Sequence, residues 1–244
     1  MTTRDWDART YDRVADPMTR WGLDVLERLP LDGDERVMDA GCGTGRVTEQ
    51  LAARLPNGHV IALDGSPAMV EAARARLARF GDRIDYVVAD LGRPLPVDDP
   101  VDAVLSSSTF HWVIDHARLF GHTFEALRPG GSLVARCGGA GSLRDVLAAA
   151  ASLGAVVDGR NTYAAPEDTR RHLEAAGFVD CWVWLEPEAV RFASRAELAG
   201  YLAVAALAPY DGGAASAQAV ADRLPEPVAD FVRLNILARR PTGP

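Results

Sequence analysis

The sequence predicts a doubly wound α/β protein: one seven-stranded, mostly parallel sheet between helical layers, with a helical insertion before the last strand. Three observations carry that expectation. Short, near-continuously apolar runs alternate with helical patterns over the first 140 residues, as expected for strands covered on both faces. Glycines crowd directly behind the first of these runs, in "VMDAGCGTGRV" (37–47). About forty residues with helical patterning separate the last two strand-like runs, too many for a simple connection.

In order, the strands are "RVMDA" (36–40), "HVIALD" (59–64), "IDYVVAD" (84–90), "VDAVLSS" (101–107) and "SLVARC" (132–137). A helix from about Arg46 to Leu55 places Val47, Leu51 and Leu55 on one face. The next starts at Ser66-Pro67, an N-cap followed by proline at the first helical position. A third covers about His116–Leu127 and stops at the turn "RPGG". Helices are expected near 142–154 and over Pro166–Ala176, ending at Gly177, followed by the strand "FVDCWVWLEP" (178–187). Its Trp182 and Trp184 read as core-packing residues. "SRAELAGYLAVAAL" (194–207) opens with a capping box, Ser194 and Glu197, and another helical stretch follows "DGG" (211–213). "FVRLNILARR" (231–240) is the last strand. The domain reading is one unit: an N-terminal helical segment (1–34), a core (35–187), the insertion (188–229), and the last strand with its tail (230–244).

Composition narrows the function classes. A 244-residue chain with 48% hydrophobic and 25% charged residues has the material for a globular core. A net charge of −8 argues against a nucleic-acid partner, which needs a basic stripe to neutralise phosphates. All 26 basic residues are arginine, so a lysine nucleophile or Schiff base is excluded. Cys42, Cys137 and Cys181 lie far apart, without paired or metal-ligand spacing, and read as reduced thiols. His59, His122 and His172 have no nearby ligand-type partners, so no metal site is expected. "MTTRDWDART" has no apolar core of a signal peptide, and "VLAAAASLGAVV" (146–157) is too short to span a bilayer. A cytoplasmic location is the expectation.

Three glycines in five positions need a reason, because glycine costs roughly 0.5–1 kcal/mol relative to alanine inside regular structure. In doubly wound sheets ligands bind beyond the carboxyl ends of the strands, and the loop after the first strand walls that crevice. A dinucleotide fingerprint needs G-x-G-x-x-G, but Gly41, Gly43 and Gly45 alternate and Arg46 stands where the third glycine belongs. A Walker loop needs lysine. The reading left is a nucleoside bound without its phosphates. Asp39, Asp64 and Asp90 end three consecutive strands. Asp64 can accept from two vicinal ribose hydroxyls, and Asp90 from an exocyclic amino group on the base. One such aspartate alone reads equally as a turn or cap residue; three in register behind a glycine loop do not.

"VMDAGCGTGRV", "ALDGSPAMVEAAR", "VVADL" and "LRPGGSLVA" together resemble the successive motifs of class I S-adenosylmethionine-dependent methyltransferases, over about residues 35–137. The resemblance implies a Rossmann-like sheet with a C-terminal antiparallel strand and S-adenosyl-L-methionine (SAM) as cofactor. It places the Gly41–Gly45 loop, with Cys42 inside it and Asp39 at its head, against the amino-acid portion of the cofactor. It gives Asp64 the ribose, Gly65, Ser66 and Met69 the adenosine pocket, Asp90 and Leu91 the adenine, and Ser106 a place near the sulfonium. Within the superfamily, "WDARTYD", "STFHWVIDHARLF" (108–120), "AALAPYD" (205–211) and "RLNILARR" are similar to trans-aconitate methyltransferase-like enzymes. That similarity implies an aromatic lid from Trp6 and Tyr11 and favours a carboxylate on a small-molecule acceptor.

"STFHW" follows the fourth strand and so borders the crevice. His111 is the candidate catalytic residue, as a base or as a donor that orients the acceptor; a satisfied loop histidine is the plain alternative. Trp112 reads as packing under the following helix. A buried carboxylate acceptor demands a cationic clamp, and Arg13, Arg136 and Arg191 are the candidates by position. The insertion and the N-terminal segment are expected to close the crevice over an acceptor of small size.

Overall fold

Val37 and Met38 point to opposite faces of one strand, and the two cores of the sheet follow from that alternation. The computed structural model describes residues 7–14, 16–157, 161–207 and 213–243. Its strands are β1 (Arg36–Ala40), β2 (His59–Asp64), β3 (Ile84–Val88), β4 (Val101–Ser107), β5 (Leu127–Gly138), β6 (Val179–Arg191) and β7 (Val228–Arg239). They form one sheet in the order β3-β2-β1-β4-β5-β7-β6. Only β7 runs antiparallel, against both β5 and β6. The strand order reverses between β1 and β4, and a crevice opens at the carboxyl ends of those two strands.

The helices are α1 (Ala8–Val14), α2 (Asp16–Leu26), α3 (Arg46–Arg54), α4 (Pro67–Leu77), α5 (His116–Ala126), α6 (Arg144–Ser152), α7 (Pro166–Ala176), α8 (Arg195–Tyr201) and α9 (Gly213–Arg223). On one face Val25, Leu51 and Leu77 of α2, α3 and α4 pack on Val37, Val60 and Leu105. On the other, Leu119 and Phe120 of α5 and Leu173 of α7 pack on Met38, Ile61 and Val104. A third core lies over the carboxyl end of the sheet. There Met18 and Trp21 of α2 meet Val146 of α6, Leu198 of α8, Val220 of α9 and Phe231 of β7.

Three boundaries differ from the sequence reading. β3 ends at Val88, leaving Asp90 in a loop. "RPGG" is not a free turn but the irregular first part of β5, with a register shift opposite Val101 and Ala103. β6 runs on to Arg191 and β7 starts at Val228, so the insertion lies between them; α8 continues as a π-helical turn, Leu202–Ala206. Trp182 is not a core residue: it lies 71% exposed on the edge strand β6, while Trp184 is half-buried under the Arg28 guanidinium.

Two of the three clamp candidates are committed elsewhere. Arg136 is fully buried on the α2 face of β5, where its guanidinium meets Asp24 (3.3 Å), Glu186 (3.1 Å) and Glu188 (2.6 Å). Arg191 is exposed and paired with Glu226. The side chain of Arg13, and Trp6 as a whole, lie outside the described residues. Arg136→Met keeps the apolar stem and strips three carboxylates of their shared cation. Because those carboxylates reach water, the loss should be about 1–3 kcal/mol rather than that of a fully buried pair. Denaturant unfolding of the variant, and of the variant combined with Glu186→Gln and Glu188→Gln, checks this: the added substitutions should recover most of the loss.

Candidate active site

A cavity of about 1260 Å³ occupies the crevice. Gly41, Gly43, Asp64, Gly65, Ser66, Met69, Asp90 and Leu91 line one half of it. Tyr11, Trp21, Trp112, His111, Tyr163, Tyr201 and Arg233 are among the residues lining the rest. Trp112 is therefore a wall residue and not only packing.

The glycine loop works mainly by leaving room. The N–H groups of Gly41 and Cys42 both donate to the Leu63 carbonyl (2.7 and 2.9 Å), and that of Gly45 donates to Cys42 (3.0 Å). The Gly43 N–H donates to Asp64 Oδ2 (2.9 Å). These donors are spent inside the protein, so a ligand here meets bare backbone rather than a nest of N–H groups. At Gly41 an added Cβ would lie 2.1 Å from Thr109 Oγ1, which fixes the approach of the loop to the β4 end. At Gly43, with φ +54°, an added Cβ would meet no protein atom within 4 Å: the space in front of it is cavity.

Asp64 closes this half of the site. Its Oδ1 accepts from the Ser66 N–H (2.9 Å), opposite the bond from Gly43. Ser66 in turn caps α4 by accepting from the Met69 N–H (3.3 Å). Two carboxylate oxygens have about four acceptor sites between them, so Asp64 keeps spare acceptor capacity toward the cavity. Burial pushes its carboxyl up, against the pull of the Ser66, Gly43 and Gly65 N–H groups. Asp90 also lines the cavity, held by the Gly92 N–H on Oδ1 (2.8 Å).

Four expected contact residues stand behind the wall instead. Asp39 is buried and accepts from Thr48 Oγ1 (2.7 Å). Cys42 packs into the core with Val37 and Leu51, and burial raises its thiol well above the ordinary value. Gly45 is the left-handed N-cap of α3, tight against Ala73. Ser106 donates to the Ala40 carbonyl (2.6 Å), tying β4 to β1, and the cavity wall at that strand end is Ser107, Ser108 and Thr109.

The short helix α1 is latched to the loop by charge. Asp12 accepts from Thr44 Oγ1 (2.7 Å), Arg46 Nε (2.8 Å) and Arg76 Nη2 (2.8 Å). Burial alone would raise the Asp12 carboxyl, but the bonds from Thr44 and Arg46 outweigh it and hold it below its usual range. Tyr11, one residue earlier, turns into the cavity. Burial, and then the charge of Asp64, push its phenol up to about 12, so it stays protonated.

On the far wall, His111 has a defined tautomer. Its Nδ1 accepts from the Gly138 N–H (3.3 Å), and a backbone N–H can only donate. The ring proton is therefore on Nε2, which has no partner among the described residues. Burial, with the charge of Arg233 next, lowers the imidazole well below its ordinary value, so it is neutral. Arg233 sits on β7 opposite Gly138, 3% exposed, with Nη2 on Ser108 Oγ (2.8 Å) and its plane over the Trp21 ring (4.2 Å). Sequence reasoning missed it. The available signal was one charged residue inside the apolar run "FVRLNILA". Among the described residues no cluster of His, Cys, Asp and Glu could hold a metal ion, and no helix is long and apolar enough to cross a membrane.

Burial pushes the Asp39 carboxyl from 3.8 up to about 6, with the Asp64 charge adding to it and the Thr48 bond opposing it. Its folded value lies above its unfolded one, so its contribution to stability is complete below about pH 4 and is lost as pH rises through about 6. Asp39→Asn keeps an oxygen for Thr48 and cannot ionise. The variant should gain about 2–3 kcal/mol on the parent between about pH 4 and 6.5, then hold that difference. Denaturant midpoints of both proteins across that range test this; parallel curves would mean that Asp39 does not titrate there.

Residues 37–131 match the family model described as a methyltransferase domain. The chain is 40% identical over 129 residues to trans-aconitate 2-methyltransferase of Methylobacterium radiotolerans, covering 53% of this chain and 48% of that one. To the enzyme of the same name from Streptomyces coelicolor it is 40% identical over 136 residues, covering 54% and 45%. The chain thus matches about half the length of these curated relatives. Among solved structures, phosphoethanolamine N-methyltransferase 2 of Haemonchus contortus, in complex with S-adenosylhomocysteine, superposes with a TM-score of 0.65 at 21% identity, over 97% of this chain and 57% of that one. Geranyl diphosphate C-methyltransferase of Streptomyces coelicolor superposes with a TM-score of 0.59 at 18% identity, over 91% and 76%. Those two likenesses concern the fold. Residues 37–131 of this chain thus match a methyltransferase domain, and the sheet that carries them is Rossmann-like.

Proposed function

We propose that this chain is a SAM-dependent methyltransferase acting on a small-molecule acceptor, with a carboxylate oxygen as the methylated atom. The observation that carries the first part is the pair formed by Gly43 and Asp64: open space in front of one, spare acceptor capacity on the other. That pair fits the methionine and ribose portions of SAM. Gly65, Ser66 and Met69 fit the rest of the adenosine, with Asp90 and Leu91 at the adenine. SAM, when bound, supplies an electrophilic methyl group on a sulfonium that leaves as a neutral thioether. The protein's part is to position the acceptor and exclude water. Tyr11, Trp21 and Tyr201 cover the cavity from the N-terminal helices and the insertion, which suits a small acceptor.

The relatives' name favours a carboxylate, and so does His111. A carboxylate arrives already deprotonated, whereas a hydroxyl needs a base. His111 cannot take a proton through Nδ1, which already accepts from Gly138, and its Nε2 carries the proton. It is suited to donate to an acceptor oxygen.

Calorimetry with SAM and S-adenosylhomocysteine, followed by turnover of labelled SAM with trans-aconitate and a panel of small acids and alcohols, tests the proposal. Cofactor binding without turnover of any acceptor would point to a non-catalytic binding protein. Preference for NAD would overturn the cofactor reading. Asp64→Ala should weaken cofactor binding by about 1.5–3 kcal/mol, the usual worth of hydrogen bonds to a charged group. Gly43→Val should cost more, because its side chain fills ligand space and its φ of +54° strains a branched residue. Wild-type affinity in both folded variants would misplace the site.

His111→Ala should lower kcat/KM by about tenfold or less with a carboxylate, the worth of one neutral hydrogen bond. The pH profile of the parent should show no limb near the ordinary imidazole value. A loss of about 10²–10⁴, with activity rising through that range, would restore His111 as a base.

A further inference from the structure

We propose that Arg233 selects the acceptor: its guanidinium holds a single carboxylate group of a small molecule, with the Nε2–H of His111 as second donor, in the half of the cavity away from Asp64. The inference rests on the reading of this cavity as a joint SAM and acceptor site, and it adds the residues that grip the acceptor.

The argument starts from two arginines on neighbouring strands. Arg136 and Arg233 are 2% and 3% exposed, and both face α2. Arg136 has three carboxylates, as its burial requires. Arg233 has none within ion-pair distance among the described residues. Its Nη2 bonds a neutral hydroxyl, its Cζ lies 4.2 Å from the centre of the Trp21 ring, and its buried Nε has no hydrogen-bond partner among the described residues. Glu188, whose charge reaches Arg233, is bonded to Arg136 at 2.6 Å. A buried cation without a counter-ion is costly, and the fold places this one where the protein opens into a cavity. The missing anion is supplied by what enters.

The cavity's other arginines do not compete for that role. Arg93 and Arg118 are largely exposed and face Asp90 (3.9 Å) and Asp115 (3.3 Å). One free buried cation balances one negative charge. A carboxylate meets that condition; a phosphate dianion leaves a charge uncompensated beside neutral neighbours. Tyr201 is kept protonated by burial, and His111 is neutral.

The two donors are also placed by one feature. Arg233 is the ladder partner of Gly138, whose N–H fixes the His111 tautomer. A Cβ at residue 138 would lie 2.5 Å from the Tyr163 ring, so glycine lets that ring pack against the strand and stack on His111. Tyr11 lines the same cavity and feels the charges of both Asp64 and Arg233.

The test is calorimetry on the full chain saturated with S-adenosylhomocysteine. The probes are trans-aconitate, succinate and benzoate, each beside its amide, and inorganic phosphate. At least one acid should bind at least about 10-fold tighter than its amide, the worth of charge-assisted bonds, and phosphate should bind more weakly than that acid. Arg233→Met should remove about 10–100-fold of the carboxylate affinity while S-adenosylhomocysteine binds within about twofold of the parent. Arg233→Lys should recover part of it. In turnover the loss should appear in KM for the acid more than in kcat. Equal binding of acids and amides by the parent, which needs no variant, overturns the proposal. So do tighter binding of phosphate and an equal loss of S-adenosylhomocysteine affinity in Arg233→Met. Failure of the parent to bind S-adenosylhomocysteine at all would instead sink the methyltransferase reading beneath it.

Discussion

The carboxylate of Asp64 holds the site together. It takes the Gly43 N–H on one oxygen and the Ser66 N–H on the other, so one side chain fixes both the glycine loop after β1 and the turn that starts α4. The backbone repeats the tie, since the Leu63 carbonyl accepts from both Gly41 and Cys42. With those bonds made, the loop has few N–H groups left to offer, and its glycines serve by absence: of a clash with Thr109 at Gly41, and of any neighbour at all at Gly43. The remaining features of that half follow. Thr44 is held outward, where Asp12 can bond it, and Ser66 is in place to cap α4.

Charge is distributed over the molecule according to whether water or a partner can neutralise it. The N-terminal latch concentrates Asp12, Arg46 and Arg76 at a partly exposed seam, where each charge has an opposite within 2.8 Å. Arg136 is deeper and correspondingly better provided. Asp39 is an acid without a cation among the described residues: it has one hydroxyl bond, and burial, with the charge of Asp64, raises its carboxyl. Arg233 is the matching case among the bases, with a hydroxyl and an aromatic face in place of a carboxylate. Asp39 is sealed behind the loop and can relieve its cost by taking a proton, but a guanidinium cannot lose one at neutral pH. That asymmetry is why the unpaired arginine borders a cavity while the unpaired aspartate does not.

Much of this was legible in the residues. Seven apolar runs became seven strands in one sheet, because strands buried on both faces must be apolar along their whole length. The strand-end pattern also put Asp64 and Gly43 at the crevice, and both line the cavity. Ser106 was misplaced by one step of alternation, since its neighbours Ser107 and Ser108 reach the cavity while its own hydroxyl turns back to Ala40. Trp182 was misread because nothing local says that its strand is the sheet's edge. Arg136 and Arg233 were indistinguishable, each a lone arginine in an apolar run. What separates them is Asp24, Glu186 and Glu188, which come from distant parts of the chain and converge on only one of the two.

The glycine loop and the cavity wall are joined through the seven-residue helix α1. Asp12 binds the loop through Thr44, and Tyr11, its neighbour in sequence, lines the cavity and feels the charges of both Asp64 and Arg233. Residues one apart on a helix point about 100° from each other, so a helix lying along the seam can latch with one and reach inward with the next. The same hydrogen bonds that set α1 on the glycine loop therefore set a protonated phenol in the wall of the cavity. Any shift of the loop that loosens Thr44 from Asp12 also moves that phenol. In the proposed reading, an ordered loop and a complete cavity wall are one structural condition.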